Sequence, residues 1–420
     1  MKKRALLSVL VLVSGGALAP NPPPAAAVDI SVASRTYLPA RGIDGGDTHV
    51  LLYEYLALDA DNLGLPGLYL SAGGWGRADL ADETFGRTTN GDLQYGYVGW
   101  RGPRMNAEGR LGRVSVTAGV ARNEVMDGAL VGSDLPAGFD VTAFGGVPVE
   151  TDEDGRSGDW VYGGRLSQGR AGLYRLGASY LREEDDSSAA REEVGGDVVL
   201  TPLSFLEIGG SSFYDLRDDG WAQHNYRVVL GPFVRRVLLR ATWVSTDYDH
   251  YFKAVTNKAF DIEANEKLDR VGGELELTIW GGLSLTGEYV NYKYDVAEEA
   301  KAYGGHLDWA GGGRTAGLGY RKVDGEVAEN RYQEFRGHVS TPVGPIAAAA
   351  GVEHLVFEEP VNGEKNATTG TLSLAYALSK ALEFSATGEY GVTPEFEHDA
   401  RLIVALLWRY DATTKKGGKP

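Results

Sequence analysis

The sequence predicts an all-β chain closed into a transmembrane antiparallel up-and-down β-barrel of about 22 strands, within a range of roughly 18–22. Three observations predict it. Segments of about ten residues alternate apolar and polar side chains, the length a tilted strand needs to cross a bilayer. The connections alternate between short turns and longer polar loops. The composition is rich in glycine and tyrosine (Gly 58, Tyr 22) and poor in methionine (Met 3), which suits strands and turns better than helices.

The stretch Arg270 to Asp295 carries the pattern most clearly. Glu274, Glu276 and Thr278 fall on one face of an extended chain, and Leu275, Leu277 and Ile279 on the other. Gly281-Gly282 supplies the positive φ of a tight hairpin turn, and Leu283, Leu285 and Tyr289 then oppose Ser284, Thr286 and Glu288. In a soluble sandwich the oily face would be a core face, whereas in a barrel it meets lipid while the wet face lines the lumen. On the second reading Leu277→Arg impairs insertion and Glu276→Arg changes ion selectivity.

The chain opens Met1-Lys2-Lys3-Arg4, continues with an apolar run from Ala5 to Val13 and reaches small residues at Ala25-Ala26-Ala27, the layout of a secretory signal peptide over 1–27. That run is too short to span a bilayer, which takes about 20 residues. Removing 1–27 deletes Lys2, Lys3 and Arg4 and no acid, so the formal charge of −17 becomes −20. So acidic a chain argues against nucleic acid as a partner. With no cysteine there are no disulfides, no thiolate metal sites and no covalent haem attachment, and no cofactor is expected.

Strands are expected at 28–38, 48–58, 67–79, 91–101, 111–121, 126–133, 137–149, 159–167, 172–182, 191–201, 204–215, 222–232, 235–247, 267–280, 282–295, 301–310, 313–322, 331–341, 344–357, 367–378, 381–391 and 399–410. They form one barrel over 28–410, followed by a polar tail at 411–420. Short turns at Ser379-Lys380, Pro342 to Gly344, Gly311-Gly312, Gly281-Gly282, Pro232 to Val234 and Pro202-Leu203 interleave with loops at 392–398, 358–366, 323–330, 296–300, 248–266 and 216–221. This places short turns in the periplasm and long loops outside, in the outer membrane, with both termini periplasmic. The weakest stretch is 122–136, whose strand could instead be a loop folded inward.

Lipid-facing sets are expected at Leu68/Leu70/Ala72, Val114/Val116/Ala118, Leu372/Leu374/Tyr376, Leu382/Phe384/Ala386 and Leu402/Val404/Leu406/Trp408. Ser71/Arg77, Arg113/Ser115/Thr117, Glu383/Ser385/Thr387 and Arg401/Arg409 oppose them. Trp243 with Tyr248 and Tyr251, Trp280, Tyr292 with Tyr294, and Trp408 with Tyr410 suit aromatic girdles at the two interfaces.

Charges within the strands cannot face lipid cheaply, since Arg or Lys at the midplane costs roughly 2–4 kcal/mol. Arg77, Arg113, Arg165, Arg175, Arg227, Arg240 and Arg336, with Glu207, Glu274, Glu276, Glu288, Glu334, Glu383 and Glu389, are therefore expected to line a water-filled pore. The segment Arg122 to Gly128, with Asn123, Glu124 and Asp127, is a candidate constriction. Acidic runs at Asp79/Asp82/Glu83, Glu150/Asp152/Glu153/Asp154/Asp159 and Glu183/Glu184/Asp185/Asp186 fall in the loops placed outside; the plain reading is solubilising charge, the sharper one a gathering of divalent cations against lipopolysaccharide. Asp59 to Gly64 has the look of a calcium loop, but Leu63 occupies a ligand position and a solvated turn explains it. The seven histidines lack metal-ligand spacing, and no nucleophile, Walker or dinucleotide motif is present, so an enzyme is not expected.

The stretches GGWGRADLADETFGRTTNGDLQYGYVGWRG (73–102) and GFDVTAFGGVPVETDEDGRSGDWVYGGR (138–165) resemble porin-like outer-membrane barrels of metal-reducing bacteria, some encoded beside multihaem c-type cytochromes. The resemblance covers the N-terminal third and is pattern-level beyond it. It implies a porin for passive transport of small or ionic solutes, or alternatively the sheath of a porin–cytochrome conduit, with haems held by partner proteins. Outer-membrane lipid, lipopolysaccharide, multihaem cytochromes and further copies of the chain are the partners this implies. The family usually ends on an aromatic residue, whereas here Trp408 and Tyr410 are followed by Asp411 to Pro420.

Overall fold

The computed structural model describes residues 28–43, 48–81, 88–102, 106–149, 159–185, 188–234, 236–252, 266–295 and 299–413. The segment 1–27, where a signal peptide is expected, Asp82, Glu83, Glu150, Asp152 to Asp154, Asp186 and residues 414–420 lie outside them.

The alternating segments form 22 strands: β1 Asp29–Ile43, β2 His49–Asp61, β3 Leu68–Asp79, β4 Thr89–Arg101, β5 Glu108–Ala118, β6 Ala121–Leu135, β7 Phe139–Pro148, β8 Trp160–Arg170, β9 Tyr174–Asp185, β10 Ser188–Leu203 and β11 Leu206–Asp215. The second half supplies β12 Gly220–Phe233, β13 Val237–Asp247, β14 Lys267–Trp280, β15 Leu283–Tyr294, β16 Glu299–Gly311, β17 Arg314–Gly325, β18 Arg331–Val343, β19 Ile346–Val361, β20 Glu364–Ala377, β21 Leu382–Val392 and β22 Asp399–Thr413. A short α-helix, α1 (Tyr248–Phe252), follows β13. Each strand pairs antiparallel with its sequence neighbours, and β1 pairs with β22 from Asp29↔Thr413 to Ile43↔Asp399, which closes the cylinder. Closure removes the open edges that an isolated sheet would expose. With strands about 4.8 Å apart and tilted about 40°, a 22-stranded cylinder is about 44 Å across between backbones.

One rim carries connections no longer than six residues, among them 204–205, 281–282, 312–313 and 344–345. The opposite rim carries 80–88, 149–159 and 248–266. One connection on that rim is nonetheless a tight turn, at 362–363, and the turn at 119–120 leaves the rim altogether. The loop expected over 358–366 is thus mostly strand: β19 and β20 extend to meet at Asn362-Gly363, both with positive φ, as a type I′ hairpin turn requires. Likewise Glu183, Glu184 and Asp185 belong to β9 rather than to a loop, and Asp411 to Thr413 belong to β22.

The face that looks out is mostly apolar and uncovered, with Glu54, which accepts from Ser34 and Thr36, as a polar exception. Leu111 is 69% exposed, Leu318 70% and Leu372 54%, and Leu275, Leu277, Leu285, Leu307, Val339, Leu374, Leu402 and Leu406 follow the same pattern. Such a belt is a lipid-contacting or partner-contacting surface, because a continuous apolar band is disfavoured in water. Trp280 stands at the short-turn rim, and Trp408 stacks on Tyr410 with ring centroids 6.2 Å apart. Trp243 also faces outward, 41% exposed, whereas three tyrosines leave the girdle. Tyr292 faces inward under Arg270, Tyr294 shares its face, and Tyr251 lies beneath Arg122.

Glu274 and Glu276 sit opposite Leu275 and Leu277 and both accept hydrogen bonds from Arg240 on β13, Glu276 at 2.9 Å. Leu275 lies deeper in the band than Leu277, which is three residues from the Trp280 turn. Leu275→Arg should therefore cost roughly 2–4 kcal/mol, and Leu277→Arg less, because its guanidinium can reach the interface. Glu276→Arg breaks a half-exposed ion pair worth about 1 kcal/mol or less. Folded yield in lipid vesicles against urea should rank Glu276→Arg above Leu277→Arg above Leu275→Arg.

Candidate functional site in the lumen

Two strands of the wall do not stay in it. β4 pairs with β5 only from Gly96↔Arg113 to Arg101↔Glu108, and β6 pairs with β7 only from Met126↔Pro148 onward. Residues 114–125 keep each other as ladder partners, from Val114↔Met126 to Ala118↔Ala121, but have no strand on either flank. The hairpin bends away from the wall at Arg113, whose guanidinium bridges Asp127 at 2.9 Å and Asp92 at 3.2 Å and donates to the Leu93 carbonyl at 2.7 Å.

Its tip docks on the inner faces of β8 to β12. Gly119 has φ +61°, and a Cβ there would stand 2.1 Å from the Ser179 hydroxyl, so the turn needs glycine both for its backbone and for its seat. The Val120 N–H donates to Ser179 Oγ at 3.1 Å, and the Val120 carbonyl accepts from Arg191 Nη2 at 3.0 Å. Val114, Val116, Val120, Ala121 and Met126 are each at most 1% exposed and pack with Val161, Leu181, Phe213 and Ala222. Val114 and Val116 were expected in lipid. They lie instead in a core inside the barrel, because the hairpin left the wall before reaching them.

A charge network flanks this core. Arg191 pairs with Glu193 at 2.8 Å and with Glu124 at 2.5 Å, while Arg122 reaches Glu193 at 2.9 Å. The Arg122 guanidinium also lies over the rings of Phe213 (5.3 Å) and Tyr251 of α1 (4.4 Å). The helix thus covers the tip from the rim, where burial first, then Glu266 and Tyr251, pushes the Tyr248 hydroxyl above its ordinary pKa.

These contacts span strands that are not neighbours, so they are made across the interior, and they fix which face is inward. Carried round the wall by the register and the period of two, they place Arg77, Arg165, Arg175, Arg227, Arg240, Arg336, Glu207, Glu274, Glu276, Glu288, Glu334, Glu383 and Glu389 on the inward face. Arg113 instead sits at the hairpin's departure point. Most of the inward charges are paired: Arg165 with Asp197 (2.6 Å), Arg175 with Asp140 (2.6 Å), Arg227 with Glu207 (2.7 Å), Arg336 with Glu334 (2.7 Å), Arg401 with Glu389 (3.3 Å) and Arg321 with Glu288 (3.6 Å). The constriction candidates divide. Glu124 joins the buried network, Asn123 accepts from Ser115 at the hairpin surface, and Asp127 holds the departure point through Arg113. Arg191, Glu193, Asp140 and Asp197 were missed in sequence. Opposite charges two residues apart at Arg191 and Glu193 were the available sign of a shared, charge-lined face.

No family model matches the sequence, and no curated protein matches it. Among solved structures the chain is similar to a chain of the E. coli P pilus tip assembly intermediate PapC-PapD-PapK-PapG in its second conformation, at 12% identity and a TM-score of 0.57. The likeness covers 93% of this chain and 61% of that one, so this chain spans about three fifths of its length. It is also similar to OccAB4 of Acinetobacter baumannii (11% identity, TM-score 0.47, covering 92% and 98%) and to OccK9 (OpdG) of Pseudomonas aeruginosa (12%, 0.48, 92% and 98%). At such identity the first likeness speaks to the fold alone. The closed 22-strand barrel rests on this chain's own register, and the expected link to metal-reducing bacteria and cytochromes draws nothing from these likenesses.

Removing one member of the buried network leaves its partners uncompensated, at a cost of roughly 3–5 kcal/mol. Arg191→Ala should accordingly unseat the hairpin while leaving the wall intact. Limited proteolysis should cut near 119–120 in the variant and not in the parent, with heat-resistant strand signal retained in circular dichroism.

Proposed function

We propose that this chain is an outer-membrane pore that conducts small, hydrated solutes passively, with the inward hairpin 114–125 narrowing its lumen. The observation that carries the reading is the pairing of two opposite surfaces on one closed wall: an exposed apolar belt outside and an inward face dense in ionic and hydrogen-bonding groups. A lumen so lined holds water, because the alternative is to bury unsolvated charge. On this reading the short-turn rim and both termini are periplasmic and the long loops are external.

Selectivity comes from width and field. Pairing of the inward arginines with carboxylates cancels most of the local potential, so the excess acid of the chain acts weakly and the pore prefers cations mildly. Arg35, Arg409 and Glu383 have no ion-pair partner among the described residues, so the field inside is uneven rather than absent. Sheathing a cytochrome would need lumen space for that partner. The hairpin occupies part of that space, which favours the pore over the conduit.

Purified protein in a planar bilayer should give ohmic single channels whose reversal potential in a KCl gradient has the sign of mild cation preference. Glu276→Arg should shift that potential toward anions, and Arg191→Ala should raise conductance. Absence of channels, or haem retained through purification of the native complex, would sink the pore reading.

A further inference from the structure

The inward face of β1 to β4 carries a cluster of aromatic rings that the pore reading does not use. Tyr37 meets Tyr55 edge-on at 5.8 Å, Tyr53 stacks near Tyr55 at 6.3 Å, and Tyr53 approaches Trp75 at 6.3 Å. Tyr95, on β4, lies flat against the wall, because Gly73 opposite it has no side chain: a Cβ there would stand 2.5 Å from the ring. A cavity of about 590 Å³ opens between these rings toward the lumen. Its working surface is Arg35, Tyr37, Tyr53, Tyr55, Gln94 and Tyr95.

Aromatic residues placed in a water-filled lumen need a reason, since neither lipid contact nor core packing asks for them there. The volume is within the range of a small-molecule site. The rings are only partly buried and present faces with negative potential, which attract polarised C–H groups. Round those faces stand hydrogen-bonding tips on several sides: the tyrosine hydroxyls, the Gln94 amide and the five N–H donors of Arg35. Arg35 is exposed and has no carboxylate within ion-pair distance among the described residues, unlike most inward arginines. An aromatic acid has polar groups at one end only and would leave most of these tips unmatched. A pyranose ring is apolar on its faces and hydroxylated round its whole edge.

We infer that this cavity is a sugar-binding site on the pore wall, with Tyr55 and Tyr53 as stacking platforms and Arg35 and Gln94 holding ring hydroxyls. The inference rests on the pore reading only for how the sugar arrives.

Maltose titrated calorimetrically into the full chain in detergent should bind saturably. Tyr55→Ala and Tyr53→Ala should each weaken it at least about tenfold, Tyr55→Phe should keep most of the affinity, and Arg35→Gln should weaken it several-fold. In bilayers maltose should reduce the ionic current of the parent and not of Tyr55→Ala. No heat with maltose, equal affinity in Tyr55→Ala and parent, or saturable benzoate binding in place of maltose overturns the site. Maltose binding that depends on Tyr55 in a protein without channels supports the site and defeats the pore reading instead.

Discussion

Everything in this molecule depends on the rule that no backbone N–H or C=O may be left without a partner where water is absent. The antiparallel ladder satisfies it between neighbours, and the β1–β22 pairing satisfies it for the first and last strands. A wall of 22 strands obeys the rule only by enclosing a wide interior, wider than wall side chains can fill. The inward hairpin is one answer to that excess. It supplies its own ladder, so it can leave the wall without orphaning its own interior hydrogen bonds.

What seats the hairpin is a division of labour between two forces. Burial of Val114, Val116, Val120 and Met126 contributes roughly 1.5–3 kcal/mol per large side chain. The Arg122, Glu124, Arg191 and Glu193 network has no net charge and adds less to stability than its short distances suggest, because desolvating four ions offsets most of their attraction. Its contribution is positional. An apolar tip could slide along an apolar wall, whereas a guanidinium that must meet two carboxylates and the Val120 carbonyl has a single seat.

The strand ladder was legible in the sequence because period-two alternation is a local property and the wall enforces it almost everywhere. The strand 267–280 and its Gly281-Gly282 turn read correctly. Alternation does not say what lies beyond a face. Val114 and Val116 alternate as lipid-facing residues do, and only contacts with Val161, Leu181 and Phe213, dozens of residues away in sequence, distinguish an interior core from a membrane. The polar residues of 358–366 look like a loop because strand beyond the apolar belt carries polar side chains, although Asn362-Gly363 is the hairpin signal within it. Tyr292 was assigned to a girdle on residue type, while the register turned it inward. The aromatic cluster of β1 to β4 was hidden for the same reason: its members are scattered over some sixty residues and meet only across strands.

The polar and apolar contacts that hold the tip of the hairpin come mostly from chain that follows it. Residues 114–125 are made first, but Val161, Ser179, Leu181, Arg191, Glu193, Phe213 and Ala222 all come later in sequence. Contacts of such separation carry a loop-closure cost and form late. The tip therefore has nowhere to rest until β8 to β12 have taken their places. The narrowing of the bore is thereby tied to strands other than those that carry the hairpin.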